Sequence, residues 1–138
     1  MSYDDLITGA VLRYPYLWVR EADRGETAGR KDRPVVVAVR VRRPGRSDWL
    51  ALFPITTKAP ERGQNAVEIP ETEKRHAGLD AALRQWVMLD EFNAEILPGS
   101  YHLEPDARIG RLNRPFFEPL ARRIIARIHS VSRVQRFD

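Results

Sequence analysis

Arg33 and Thr56 are the two residues whose types best suit chemistry on a phosphate. A guanidinium presents a planar fork that can stabilise the charge building on a phosphorane-like transition state. A threonine hydroxyl can orient a phosphate oxygen, although it cannot serve as a base unaided. Each residue also has a plainer reading: Arg33 as the ion-pair partner of Asp32 or another surface acid, and Thr56 as the cap of a turn. Around them lie further polar candidates for holding an anionic strand. Arg24, Gly25, Glu26, Gly29, Arg30 and Lys31 form a charged glycine loop that runs into Arg33-Pro34, and Thr57 and Lys58 follow Thr56. Asp90, Glu91 and Asn93 close a later apolar segment, where they would read base edges, hold Arg33 in place, or simply be solvated.

The elements that must position these side chains come from the patterning. Residues 34 to 43 contain the valine run Val35–Val39 and read as a strand covered on both faces, with Arg40 and Arg42 sharing one face beyond it. Pro44-Gly45 marks a turn, and residues 48 to 56 form the return strand. In such an antiparallel hairpin the start of one strand lies beside the end of the other, so Arg33 and Thr56 are expected to meet at one end. Residues 9 to 19 read as a further strand, with Pro15 at an edge or bulge, and residues 20 to 33 as a polar loop. Residues 66 to 69 and 85 to 90 read as short strands, 70 to 75 as a turn or one helical turn, and 93 to 106 as mostly irregular. Phe117, Leu120, Ala121, Ile124, Ile125 and Ile128 recur at helical spacing; Asn113 is the expected N-cap, and Pro119 is expected near the first turn. Residues 1–7 and 131–138 read as flexible tails.

With 138 residues and no composition break, the chain reads as one mainly β domain over 1–138: a small SH3-like barrel or a strongly bent antiparallel sheet, with a C-terminal amphipathic helix. It has no cysteine, hence no disulfide and no thiolate metal site. His76, His102 and His129 lack ligand-like spacing, so neither a metal nor another cofactor is expected. The start of the chain does not read as a secretory signal, and no apolar run is long enough to cross a bilayer; a cytoplasmic location is expected. The net charge is only +4, but nearly all the positive charge is arginine, the lysines being Lys31, Lys58 and Lys74. Arginine pairs bidentately with phosphate and stacks on bases, which suits nucleic acid as well as surface ion pairs. Tyr14, Tyr16 and Trp18 are candidate stacking platforms, with core burial expected for at least two. No GxSxG, HExxH, Walker or nucleotide-binding glycine motif occurs.

Taken in order, these pieces resemble the MazF/PemK family of toxin ribonucleases over about residues 8 to 128. The matching segments are Gly9-Ala-Val, Trp18-Val19, Gly25-Glu26, Gly29, Arg33-Pro34, Pro54-Ile55-Thr56, Gly78-Leu79, Val87-Met-Leu-Asp-Glu91 and Ile109-Gly110-Arg-Leu-Asn113. The resemblance implies an SH3-like barrel acting as a homodimer, metal-independent cleavage of single-stranded RNA by attack of the 2′-hydroxyl on the adjacent phosphate, and a cognate antitoxin. It carries the catalytic pair over to Arg33 and Thr56. Three segments depart from the pattern: the added run Arg30-Lys31-Asp32, the stretch 71 to 84, and residues 93 to 106. If they seal the groove, the alternative is a non-catalytic nucleic-acid- or protein-binding relative, including a gyrase-targeting toxin of the CcdB type.

Overall fold

The computed structural model describes residues 3–138. Its centre is the expected hairpin. Strands β1 (Ala10–Tyr14), β2 (Arg33–Val41) and β3 (Asp48–Thr56) lie side by side, after a helix α1 (Val19–Asp23) that follows β1. The β2–β3 register runs antiparallel from Val41↔Trp49 to Val35↔Pro54, with an irregularity between Val37 and Val39. Successive valines of β2 point to opposite faces, and both faces are covered. Val36 joins Val11, Phe53, Ile55, Val87 and Phe92 in one core, while Val35 and Val37 join Leu12, Tyr14, Leu50, Leu52 and Leu97 in the other. A continuous apolar run is what a strand buried on both faces requires.

The remaining elements are β4 (Ala66–Glu68), α2 (Glu71–His76), β5 (Trp86–Met88), β6 (Glu91–Leu97), β7 (Arg108–Arg111), α3 (Arg114–Arg127) and β8 (Ser132–Gln135). The sheet runs β4-β5-β3-β2-β1-β7, with β6 also on β3 and β8 on β6. Strand β3 changes partner along one edge: Asp48 to Leu52 pair with β6, and Ile55 and Thr56 pair with β5. Pro54, which has no N–H to give, lies at the changeover. All these pairings are antiparallel except β6–β8, which is parallel. The eight-stranded sheet does not close into a barrel, so the closed form implied by the family resemblance gives way to the open sheet. Among the described residues no helix is long and apolar enough to cross a membrane.

Helix α3 lays Phe117, Leu120 and Ile124 on the first core, but Ile125 is 57% exposed and falls outside the expected stripe. Asn113 holds the N-cap position without a side-chain cap; its amide instead donates to Glu73 Oε2 at 2.7 Å. Pro119 lies inside the helix rather than in the first turn, on the exposed side, and the start is taken by Pro115.

Several expected boundaries shift. The first strand stops at Tyr14, because Pro15 cannot continue the ladder, and the chain turns into α1 where a loop was expected. Residues 93 to 97 belong to β6 rather than to an irregular stretch. The C-terminal tail is ordered as β8, and Arg136 behind it is buried. Leu6, in the expected N-terminal tail, is fully buried in the second core; residues 1 and 2 lie outside the described residues. The motif glycines Gly78 and Gly110 share one close approach. A Cβ on Gly78 would stand 2.3 Å from the Ile109 carbonyl oxygen, and one on Gly110 would stand 2.1 Å from that of Ala77. Both positions exclude side chains so that β7 can cross the end of α2.

Candidate functional site

Continuing the β2–β3 register beyond Val35↔Pro54 sets Arg33 across from Thr56. Each is held on its far side as well, Arg33 by Tyr14 of β1 and Thr56 by Trp86 of β5. Two clefts open at this end of the sheet, and both residues line both of them. The first, of about 500 Å³, adds Trp18, Arg20, Lys58, Glu61, Gln64 and Met88. The second, of about 280 Å³, adds Arg13, Lys31, Asp32, Thr57, Asp80, Leu83 and Gln85.

Arg33 is half-buried and does not pair with Asp32. Among the described residues no carboxylate forms an ion pair with it, and its buried Nε has no hydrogen-bond partner. Its guanidinium carbon lies 5.1 Å from the centre of the Trp18 ring, which steadies a cation without neutralising it. Burial pulls its pKa below the usual arginine value; the charge of Glu21 opposes that, and the neighbouring charge of Arg20 adds to it. Glu21 itself accepts the Trp18 amide N–H at 3.0 Å and pairs with Arg30 at 3.0 Å, so its oxygens are engaged elsewhere. Thr56 Oγ1 accepts the Lys58 amide N–H at 3.1 Å, a bond that orients the hydroxyl and leaves its hydrogen to donate. Among the described residues Lys58 forms an ion pair only with Glu61, an exposed pair of the kind that exchanges readily for another anion.

The other candidates divide. Lys31 and Thr57 line the second cleft and Lys58 the first. Arg24 and Arg30 both close on Glu26, at 3.1 Å each, and line neither cleft. The two guanidiniums hold the Glu26 carboxyl below its usual range, Arg30 more strongly than Arg24. The loop thus spends its charges internally. Glu26 instead lines a separate hollow of about 390 Å³ beside Arg136. Gly25 is an exposed turn residue, and Gly29 packs against the Pro15 carbonyl, where a Cβ would meet oxygen at 2.3 Å. Asp90 accepts from Asn65 N at 2.8 Å and Arg127 at 3.2 Å, tying α3 and the segment before β4 to the sheet. Partial burial raises its pKa, but the Asn65 and Arg127 hydrogen bonds outweigh this and hold it low. Glu91 accepts from Tyr16 OH and Val19 N, both at 3.0 Å, and burial holds its carboxyl above the usual range. Neither Asp90 nor Glu91 lines the two clefts.

Tyr14 and Tyr16 are core residues, and Trp18 is 8% exposed, so none presents an open stacking face. The added segments do not seal the site. Gly78, Leu79, Asp80, Leu83 and Lys31-Asp32 form walls of the second cleft, with Thr57 and Asp80 exposed along them, and residues 93 to 106 line neither cleft. Arg20, Arg13 and Gln64 were not singled out by sequence. Arg20 follows Trp18 closely enough to have been flagged with it, whereas Arg13 and Gln64 carry no signal beyond polarity. Among the described residues no cluster of His, Asp and Glu is placed to hold a metal ion. No protein-family model matches the chain, and neither do any curated proteins or solved structures. The likeness to the MazF/PemK family therefore rests on the motifs alone.

Proposed function

We propose that this chain is an endoribonuclease of the toxin type, which cleaves single-stranded RNA at the junction of the two clefts. One observation carries the reading: a half-buried arginine without an ion-pair partner and an oriented threonine hydroxyl line two clefts that meet at them. A single nucleotide needs one cleft, whereas a strand needs an entry and an exit, with the reacting phosphate between. Lys58 on one side and Arg13 and Lys31 on the other suit flanking phosphates. In the reaction, the ribose 2′-oxygen attacks the adjacent phosphorus and the bond to the 5′-oxygen breaks, leaving a cyclic phosphate and a 5′-hydroxyl. Arg33 stabilises the charge on the phosphoryl oxygens, and the Thr56 hydroxyl donates to one of them. A strand with unpaired bases fits the open walls, since bases can splay there while the phosphates meet cations. On this reading the chain works in the cytoplasm as a homodimer and is silenced by an antitoxin covering the clefts.

The test is incubation of the purified chain with a defined RNA, single-stranded and in a duplex, with and without a chelator. Cuts confined to the single strand, insensitive to chelation and ending in cyclic phosphate and 5′-hydroxyl, are expected. Intact RNA under all conditions would reject the reading.

A further inference from the structure

Beside the reacting pair stands a second arginine whose surroundings call for an anion. Arg20, on α1, lies with its guanidinium carbon 4.8 Å from the centre of the same Trp18 ring that carries Arg33 at 5.1 Å. Arg20 is exposed and Trp18 is buried, so two like charges lie against one buried indole. The neighbouring carboxylates hydrogen-bond elsewhere, Glu21 with the Trp18 amide and Arg30 and Glu91 with Tyr16 and the Val19 amide, and act on Arg33 and Arg20 only as charges through space. Among the described residues neither Arg20 nor Arg33 forms an ion pair. Two buried donors at the same cleft, Trp18 Nε1 and Arg33 Nε, lack an acceptor. The charge of Arg20 acts against that of Arg33 across this ring, and a bound anion relieves that repulsion.

We infer that Trp18 and Arg20 build a second phosphate subsite, which grips the phosphate next to the reacting one in an RNA strand. This rests on the ribonuclease reading and adds to it a residue outside the reacting pair. Arg20 acts as a binding residue and Trp18 as a positioning residue: the ring fixes the guanidinium plane so that its fork meets a phosphate bidentately. The Trp18 ring is covered by the two guanidiniums, so a base entering this cleft meets arginine planes rather than the indole face.

The experiment measures binding of a fully 2′-O-methylated single strand, which cannot be cut through its 2′-oxygen, as a function of salt. It compares the wild type with Arg20→Ala, Arg20→Lys, Trp18→Phe and the distant Arg122→Ala on α3, and is paired with cleavage kinetics on unmodified RNA. Arg20→Ala is expected to lose about tenfold in affinity at low salt and to lower the salt slope by about 0.7, the value for one phosphate contact on a single strand. In cleavage its KM should rise while kcat holds. Arg20→Lys should restore the slope but only part of the affinity, Trp18→Phe should fall between, and Arg122→Ala should match the wild type. An unchanged slope and KM in Arg20→Ala, with cleavage still dependent on Arg33, would overturn the subsite and leave the ribonuclease reading standing. A wild-type chain that neither binds nor cuts RNA would remove both.

Discussion

Arg136 and Arg33 each lie over an aromatic ring, and they are used in opposite ways. Arg136, behind β8, lies 5.4 Å from the Tyr14 ring centre and is 6% exposed. Its Nη1 donates to the Pro15 carbonyl at 2.8 Å, Asn93 Oδ1 at 2.9 Å and the Tyr14 hydroxyl oxygen at 3.3 Å. The Tyr14 hydroxyl in turn donates to Glu95 at 2.8 Å, and Asn93 joins the Leu17 backbone through two further bonds. That network staples the C-terminal strand to β1 and β6. Arg33, over Trp18, has no such acceptors and faces open clefts. The lesson is that an arginine count does not locate a binding site. What locates it is a guanidinium that lines an open cleft without an ion-pair partner; Arg136 also lacks an ion pair and leaves its Nη2 without a hydrogen bond, but it is sealed among neutral acceptors. The loop of Arg24, Glu26 and Arg30 makes the same point on the surface, where its charges cancel locally.

Substitutions that separate the two arginines should break the comparison if it is wrong. Arg33→Ala should lower RNA cleavage by about 10³-fold, as loss of a transition-state charge partner does, while the denaturant midpoint barely moves. If Arg33→Ala instead unfolds the protein and leaves cleavage per folded molecule intact, the roles are reversed. Arg136→Ala should do the opposite. It should cost about 3 kcal/mol of stability, because buried acceptors lose a charged donor, with little change in cleavage by the folded fraction; chemical denaturation followed by assay below the transition separates the two readouts. Thr56→Val keeps the shape and removes the hydroxyl, so cleavage should fall by about 10²-fold with the strand still bound. Retained activity in Thr56→Val would confine the chemistry to Arg33.

The smallest expected effect concerns pH. Burial holds the Glu95 carboxyl above its usual range, against the opposing pull of its Tyr14 hydrogen bond and of Arg136. A raised folded-state pKa means that this group's contribution is full below the ordinary carboxylate range and is lost as pH rises through the folded value. Wild-type stability should therefore decline relative to Glu95→Gln as pH is raised from about 4 towards neutrality. A difference that is flat or grows with pH would show that Glu95 is ionised and paired in the fold.

The parts of this arrangement that rest on local pattern could be read from the residues. The valine run, the Pro44-Gly45 turn and the return strand set the hairpin, and the hairpin brings Arg33 to Thr56. The apolar spacing of α3 was equally plain, apart from Ile125, which faces out because the helix is covered on one side only. What could not be read depends on partners distant in sequence. Ser132 to Gln135 carry little strand signal and are ordered by their pairing with β6. Arg136 looks like any terminal arginine until Asn93 and Pro15 surround it. Glu73 and Lys74, in a charged stretch, are buried because Glu73 accepts from Asn113 and Lys74 donates to the Leu83 carbonyl. The basic glycine loop drew attention by composition, yet its internal ion pairs remove it from the site. Arg20, one turn away, has only its nearness to Trp18 in the sequence to mark it, and its position over that ring is what sets it apart.

The most direct test of the account uses one RNA in two forms: an unmodified strand, and the same strand with a 2′-hydrogen in place of the 2′-hydroxyl at the cleaved nucleotide. With the wild-type chain, the unmodified strand should be cut to a cyclic phosphate and a 5′-hydroxyl, and the altered strand should bind with similar affinity and stay whole at that position. Cutting at the altered nucleotide, or failure to cut either strand while the protein remains folded, would contradict an Arg33–Thr56 site for 2′-hydroxyl attack.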